Sequence, residues 1–343
     1  MIVAIYDVTG IQSFVFASRK MKENVGASHL VDMVLSKWLP ELIKELYPSS
    51  GTDWKKSFVM PSAKTPATIV YIGGGNALVI YESETEYRAV NRSLSKKILE
   101  ETGNELQVAS AWEDITSDVT TLRKSLFQKL AVEKATKAAS LPLQGIGITR
   151  ACGSDRLSAT VIEIIDNKEQ YVSLPTSNKR KYADERKKHF QKRFPGYTFP
   201  SLLDELGGTE GENYISVVHI DGNGMGSMFT NALKKCPTPE SWFTTMHSLS
   251  DQINVAYESV FADLLKTLKY NQSLVEFREK FAVKDDGMMI RPLVLNGDDI
   301  TFITDGRLGI PLAQHFLELL NNKSITVGDD EISLSACAGI AIV

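Results

Sequence analysis

One hairpin-like pattern occurs twice in this chain of 343 residues, and only one of the two copies is acidic. Residues 70–80 and residues 294–303 are both apolar segments interrupted by a short turn that contains glycine. The second copy carries Asp298 and Asp299 where the first copy has a glycine and an asparagine. Because an internal repeat constrains the fold more than any local signal, we interpret the chain as a duplicated domain with one acidic half.

Other segments repeat in the same order around the two hairpins. Each hairpin is preceded by an apolar strand with an aspartate near its end, and is followed by a helix-like stretch and a further apolar strand. The matching strands are residues 3–10 and 217–224 before the hairpins, and residues 106–111 and 334–340 after them. The order β-α-β-β-α-β predicts a split βαβ, or ferredoxin-like, arrangement for each half.

The repeat divides the chain into three predicted domains. We expect an α+β protein in which residues 1–115 and residues 213–343 form two ferredoxin-like domains. Residues 116–212 lie between them and combine an amphipathic, lysine-rich pattern with loops that contain proline and glycine. This composition predicts a helical linker domain.

Composition restricts the class of protein. The content of 43% hydrophobic and 23% charged residues is ordinary for a soluble globular protein. No run of about 18 apolar residues predicts a membrane span, and the N-terminus reads as a strand and not as a signal peptide. Cys152, Cys236 and Cys337 are isolated, which excludes a disulfide framework and a Cys-x-x-Cys zinc site. We therefore expect a cytoplasmic protein.

The charge balance argues against a dedicated nucleic-acid binder, since the formal net charge is −4. Residues 178–193 are a local exception, with eight basic and two acidic side chains. This segment could form a surface for nucleic acid or for a triphosphate. The alternative is a solvated helix and loop, which we favour because charge blocks are commonly exposed faces.

The acidic copy predicts a metal site. In a ferredoxin-like domain the first strand lies beside the hairpin, so Asp221 should lie close to Asp298 and Asp299. Three carboxylates so close together need a cation, and hard oxygen ligands select Mg²⁺ or Mn²⁺. A pair of such ions would activate a 3′-hydroxyl and stabilise a departing pyrophosphate. The preceding Asn296-Gly297 pair is favourable for a type I′ turn.

A glycine-rich segment between strand and helix adds a phosphate-binding feature. Gly222, Gly224 and Gly226, followed by Ser227, would expose backbone N–H groups at the start of a helix, which suits a triphosphate. A dinucleotide-binding loop is a weaker interpretation, because the aspartate that precedes the loop would repel a pyrophosphate in the absence of a metal.

These motifs together resemble a known family. Residues 7–16, 26–28 and 73–76 resemble the first palm domain of the large polymerase/cyclase subunit of type III CRISPR systems. Residues 219–226 and 296–299 resemble its second palm domain, in which the hairpin is usually Gly-Gly-Asp-Asp. The resemblance implies two palm domains that hold two ATP molecules between them. It also implies that the acidic palm joins them into cyclic oligoadenylate with Mg²⁺ or Mn²⁺.

The resemblance also implies roles for individual residues. Asp221, Asp298 and Asp299 would be catalytic and would bind the metal, with a backbone carbonyl from Ile220 or Gly222. The residues implied in ATP binding are Gly222, Gly224, Gly226, Ser227, Asn296 and Gly297 in the second palm, and Ser13, Ser28, Gly73, Gly74, Gly75 and Asn76 in the first. CRISPR effector subunits or RNA are the implied partners, without a membrane.

The sequence departs from the family pattern in several places. Asn296 replaces a glycine close to the substrate, and we find no HD nuclease motif, four-cysteine zinc site or C-terminal helical domain. These differences predict a compact, stand-alone relative or a part of a longer chain. The predicted function is synthesis of an oligoadenylate-type messenger in antiviral defence. The alternative is a catalytically weak ATP-binding scaffold or sensor, whereas the acidic balance disfavours template-directed polymerisation.

Overall fold

The computed structural model describes residues 1–18, 20–62, 64–136, 146–165, 167–200, 206, 214–281, 283, 287–328 and 330–343. The chain divides into two compact units. Unit 1 comprises Met1–Arg186 and Leu233–His247, and unit 2 comprises Lys187–Ala232 and Ser248–Val343. The domain boundary predicted near residue 115 stays a prediction, and the one near residue 212 lies outside the described residues.

Unit 1 contains the first predicted ferredoxin-like domain. Its elements are β1 (Ile2–Thr9), α1 (Ile11–Val15), α2 (Met21–Met33), a π-helical turn (Val34–Trp38), α3 (Leu39–Leu46), β2 (Ala67–Gly73), β3 (Asn76–Tyr81), α4 (Glu84–Thr102) and β4 (Gln107–Asp114). The four strands form a first sheet in the order β2-β3-β1-β4, and each pairing is antiparallel. This is the strand order of the split βαβ arrangement, which confirms the predicted fold class.

Local sequence signals explain the bounds of α4. Ser83 caps its N-terminus by accepting a hydrogen bond from the backbone N–H of Thr85, and Gly103 ends it in the left-handed conformation. The buried side chains of α4 recur at the spacing of one helical face: Tyr87, Val90, Leu94 and Ile98. They join the core that covers one side of the first sheet.

The segment predicted as a helical linker contains two helices and a hairpin. Its elements are α5 (Val119–Thr136), β5 (Val161–Ile165), β6 (Lys168–Val172) and α6 (Leu174–Arg193). Helix α5 packs on β4 and β1 and buries Leu122, Leu126 and Leu130. The hairpin β5-β6 is absent from the sequence-based prediction. β5 is apolar apart from one glutamate, but β6 begins with three polar residues and gives no second strand signal.

The basic segment at residues 178–193 lies in α6, and its interpretation as a solvated face is wrong for three of its cations. Lys179, Arg180 and Arg186 are buried in unit 1. They form ion pairs with Glu105, with Glu23 and Glu163, and with Asp32, respectively. A buried cation needs such a partner, so these pairs hold α6 against the elements that precede it in the chain.

Unit 2 contains the second copy. Its elements are β7 (Ile215–Gly222), α7 (Met225–Lys234), α8 (Pro239–Ser273), α9 (Val275–Lys280), β8 (Ile290–Asn296), β9 (Asp299–Asp305), α10 (Gly309–Leu320), β10 (Ser324–Val327), β11 (Asp330–Ser333) and β12 (Ala336–Ile342). Unit 1 includes the last residues of α7 and the first turns of α8. The second sheet has the order β12-β7-β9-β8, which repeats the order of the first.

The two hairpins share an irregularity that the sequence did not reveal. In the first hairpin the pairing shifts between Ile69 and Tyr71, and in the second it shifts between Pro292 and Val294. Each shift lies at the same distance from the turn. β-bulges recur at fixed positions in related domains, so a bulge at the same position in both copies supports the duplication. In the described part of the chain, no helix is long and apolar enough to cross a membrane.

Candidate functional site

The acidic turn joins β8 to β9. Asn296 and Asp299 are the paired end residues of the two strands, and Gly297 and Asp298 form the two-residue loop between them. Gly297 has a φ of 64°, whereas the φ of Asp298 is negative. Positive φ at the first loop position alone is the pattern of a type II′ turn, so the predicted type I′ turn is wrong here.

The turn of the first hairpin differs in this respect. Both of its loop residues, Gly74 and Gly75, have positive φ, at 56° and 76°. This is the type I′ pattern, which favours glycine at the second position. The type II′ turn of the second hairpin places Asp298 in a backbone conformation that any L-residue adopts. An acidic side chain therefore costs no backbone strain in the second copy.

The end of β7 lies against this acidic turn. A Cβ atom added to Gly222 would lie 2.9 Å from both the Cβ and the Oδ2 of Asp298. Only a residue without a side chain permits this approach. Asp221, the preceding residue, is exposed and pairs with Cys337 on β12. The structure thus brings the hairpin turn to the end of β7, as the sequence predicted.

Burial and mutual repulsion perturb the carboxylates. Burial raises the pKa of Asp298, and the charge of Asp221 raises it further. Burial also raises the pKa of Asp299 to about 6, and the neighbouring Asp298 and Asp221 add to this effect, while His219 opposes it. The ionised site is therefore electrostatically unfavourable in the absence of a compensating positive charge.

His219 is a site residue that the sequence analysis did not assign. Its Nδ1 lies 3.4 Å from Oδ1 of Asp299 and 2.9 Å from Oγ1 of Thr301. His219 precedes Asp221 by two residues on β7, so both side chains leave the same face of the sheet. The alternation of side chains along a strand, applied to the sequence, would have placed His219 on the same face as Asp221 and so beside the acids.

The donor set fits a hard divalent cation. Oδ1 of Asp299 is buried and has no hydrogen-bond partner among the described residues. A buried carboxylate oxygen that makes no hydrogen bond, with Nδ1 of His219 at 3.4 Å, suits Mg²⁺ or Mn²⁺. Within the described residues, however, no group of three or more His, Cys, Asp or Glu side chains is arranged to hold a metal. The ligand set of Asp221, Asp298 and Asp299, with the carbonyl of Ile220, remains a prediction.

The glycine-rich segment continues directly from this site. Gly222 is the last residue of β7, Gly224 lies in the connection, and Gly226 and Ser227 are exposed in the first turn of α7. The N–H of Asn223 donates to the carbonyl of Ser335 and so anchors the connection. The exposed N-terminus of a helix favours an anion such as a phosphate.

The first sheet balances the acid that corresponds to Asp221 differently. Asp7 on β1 is paired in register with Asn76, and it corresponds to Asp221. Nζ of Lys134, from α5, lies 2.6 Å from Oδ2 of Asp7. An ammonium group from the same chain therefore provides the counter-charge in the first copy. The sequence analysis missed Lys134, because the pairing depends on how α5 packs.

The residues predicted to bind a second ATP lie in different environments. Gly73, Gly74, Gly75 and Asn76 form one continuous turn, in which Nδ2 of Asn76 donates to the carbonyl of Gly74 at 3.1 Å. The hydroxyl of Ser13 on α1 is exposed and donates to the carbonyl of Gly10. Ser28, in contrast, is buried within α2 and is only 3% exposed. Their roles in nucleotide binding remain predictions.

Replacement of Lys134 should destabilise the chain through Asp7. The Asp7 side chain is only 15% exposed, so Lys134→Ala leaves a poorly solvated charge and should lower the free energy of unfolding by about 1 kcal/mol. Asp7→Asn in the same chain should recover most of this loss, and Lys124→Ala on the same helix is the matched control. Denaturant unfolding of the four combinations measures the coupling, and additive effects of the two changes would contradict the pairing.

The raised pKa of Asp299 predicts the sign of a pH effect on stability. The folded chain retains this proton to higher pH than the unfolded chain does. The free energy of unfolding should therefore fall as pH rises from about 4 to about 6, in the presence of a chelator. Asp299→Asn should remove this part of the fall and stabilise the chain at pH 7 by about 1 kcal/mol, after allowance for solvent screening. Identical pH profiles for the two proteins would contradict the assignment.

Comparison with known proteins finds the fold in solved structures. No protein-family model matches the sequence, and no curated protein matches it. The chain is similar to a crystal structure of a Csm1-Csm4 cassette in complex with pppApA, with 13% identity, a TM-score of 0.59 and coverage of 99% of this chain and 49% of that one. It is similarly related to the cassette in complex with cA4, with 14% identity, a TM-score of 0.58 and coverage of 99% and 49%.

A third structure is the Csm1-Csm4 subcomplex of the type III-A CRISPR-Csm interference complex. Here the identity is 14%, the TM-score is 0.58, and the match covers 99% of this chain and 50% of that one. The chain thus spans about half the length of the structures that it matches. At this level of identity the likeness shows a shared fold: two sheets of one topology, as in a chain of the type III CRISPR cassettes.

Proposed function

We propose that this chain is a metal-dependent nucleotidyltransferase that joins ATP molecules into a cyclic or linear oligoadenylate in CRISPR-related antiviral defence. The observation that carries the proposal is the partly buried pair Asp298 and Asp299, held against the end of β7 beside Asp221. Solved structures of the same fold contain pppApA, cA4 and AMPPNP, which supports adenine nucleotides as ligands.

Asp221, Asp298 and Asp299, with the carbonyl of Ile220, would hold Mg²⁺ or Mn²⁺. When bound, the cation would neutralise the three carboxylates, favour ionisation of an attacking 3′-hydroxyl and stabilise the charge of the departing pyrophosphate. His219 would act as a positioning residue, because its Nδ1 faces Oδ1 of Asp299. Because the pKa of Asp299 is raised to about 6, cation binding would displace its proton at pH values near or below 6.

The phosphates would bind at the first turn of α7. Gly224 leaves the backbone accessible there, and Gly226 and Ser227 offer exposed N–H groups together with a hydroxyl. Asn296 and Gly297 would contact the same nucleotide from the turn. Asn296 stands where the family has a glycine, and its side chain would reduce the space for the nucleotide at the turn.

The second nucleotide would bind at the first hairpin without a metal. Because Lys134 already neutralises Asp7, this carboxylate beside the turn would not repel a phosphate. The turn at Gly73, Gly74, Gly75 and Asn76, with the exposed hydroxyl of Ser13, would hold the nucleotide through backbone, amide and hydroxyl groups. Ser28 is buried within α2, so its contribution would be indirect. We further propose that the protein is cytoplasmic and assembles with CRISPR effector subunits or RNA, as the likeness to Csm1-Csm4 pairs suggests.

A second candidate function is an ATP-binding scaffold or sensor without turnover. It is favoured by one observation, namely that the described side chains do not form a ready metal cluster. Asn296 beside the acids points in the same direction. This candidate keeps the nucleotide sites but dispenses with the chemistry.

Incubation with ATP and Mg²⁺ or Mn²⁺, followed by chromatography of the products, separates the two functions. The nucleotidyltransferase should release pyrophosphate and oligoadenylate without a template. Asp298→Asn or Asp299→Asn should lower the rate at least about 100-fold, since each removes a charge on which the metal depends. Asp251→Asn, an exposed acid on α8, is the matched control. ATP binding without product in the unaltered protein would select the scaffold function.

A further inference from the structure

One groove in unit 1 is not used by the proposed function. It has a volume of about 1090 Å³ and runs between α4 and α5, with β4 as its floor. The walls come from one face of each helix, and its lining residues all belong to unit 1. What the groove binds is therefore a question independent of the acidic site.

The floor of the groove is an open sheet edge. In the described residues, β4 pairs with β1 alone. The backbone N–H of Val8 donates to the carbonyl of Gly75, on the β3 side of β1. Because backbone groups of successive residues point to opposite sides of a strand, those of Asp7 point towards β4. Asp7 is in register with Ala109, which turns the backbone groups of Ser110 and Trp112 away from β1.

A contact of Lys129 confirms this orientation. Lys129 lies on α5, and its Nζ donates to the carbonyl of Trp112 over a distance of 3.3 Å. That carbonyl therefore faces the groove. Backbone groups that face outward at every second residue are the template to which an additional strand can bond. A lysine on such an edge also limits unwanted pairing.

The side chains around the edge indicate the chemistry of an added strand. Tyr87 and Trp112 line the groove and would receive alternate apolar side chains. Its charged lining comprises Arg88, Arg92, Lys129 and Glu133. Arg88 already pairs with Glu84, and Nζ of Lys129 lies 3.0 Å from a carboxylate oxygen of Glu113. The structure gives Arg92 no ion pair among the described residues, so this cation is available to an incoming acid.

We propose that this groove binds an extended, acidic peptide segment of a partner protein, which adds to the first sheet as a strand beside β4. The incoming backbone replaces Lys129 at the carbonyl of Trp112. Arg92 then pairs with an acidic side chain of the peptide, and Lys129 exchanges Glu113 for a second one, which gives the site its charge preference. A nucleic acid would use the same cations but has no backbone N–H groups for the sheet edge.

The test uses the full chain and an eight-residue capped peptide in which threonine and valine alternate with glutamate. Hydrogen exchange followed by mass spectrometry should show at least about tenfold slower exchange in residues 107–114 at saturating peptide. The charge reversal of Arg92→Glu with Lys129→Glu should abolish this protection and transfer it to the analogue with lysine in place of glutamate. Lys124→Glu, on α5 outside the groove, is the matched control and should behave as the unaltered chain.

Two results would overturn the proposal. One is the absence of protection in β4 with the acidic peptide while the protein stays folded, or protection that is indifferent to the charge reversal. The other is protection by a ten-nucleotide polyadenylate and not by the peptide, which would make the groove a nucleic-acid site. Neither result depends on whether the protein turns over ATP.

Discussion

The central physical constraint in this structure is the electrostatic repulsion among carboxylates at the end of a central strand. In unit 2, the carboxylates of Asp298 and Asp299 are partly buried and repel each other and Asp221. Two backbone features make this arrangement attainable: the absence of a side chain at Gly222 and the type II′ turn that begins at Gly297. The repulsion is the physical reason why this site would attract a divalent cation.

Unit 1 presents the same topology with the repulsion removed. The hairpin has neither acid, and Lys134 neutralises Asp7, the counterpart of Asp221. The ammonium group of a lysine is covalently part of the chain and cannot be exchanged. A metal ion, in contrast, can exchange and can coordinate a substrate. The two copies thus provide one sheet that is electrostatically complete and one that is completed by a ligand. This difference in charge compensation is the basis for proposing one nucleotide site with a metal and one without.

Much of this organisation could be predicted from the sequence, because the apolar strands and the glycine-containing turns repeat in one order. The strand order of both sheets and the approach of the turn to the end of β7 follow from that repeat. Lys134 could not be predicted, since its pairing with Asp7 joins residues far apart in the chain. The buried cations of α6 were missed for the same reason: charge along a sequence does not reveal which face a helix buries.

The most direct test of the central claim is a titration of the full chain with Mn²⁺, monitored by electron paramagnetic resonance at pH 7 without nucleotide. Saturable binding should occur in the unaltered protein, be lost in Asp299→Asn, and persist in Asp7→Asn, because the first sheet already holds its own cation. Absence of saturable binding in the unaltered protein, or its loss in Asp7→Asn, would contradict the assignment of the metal to the second sheet.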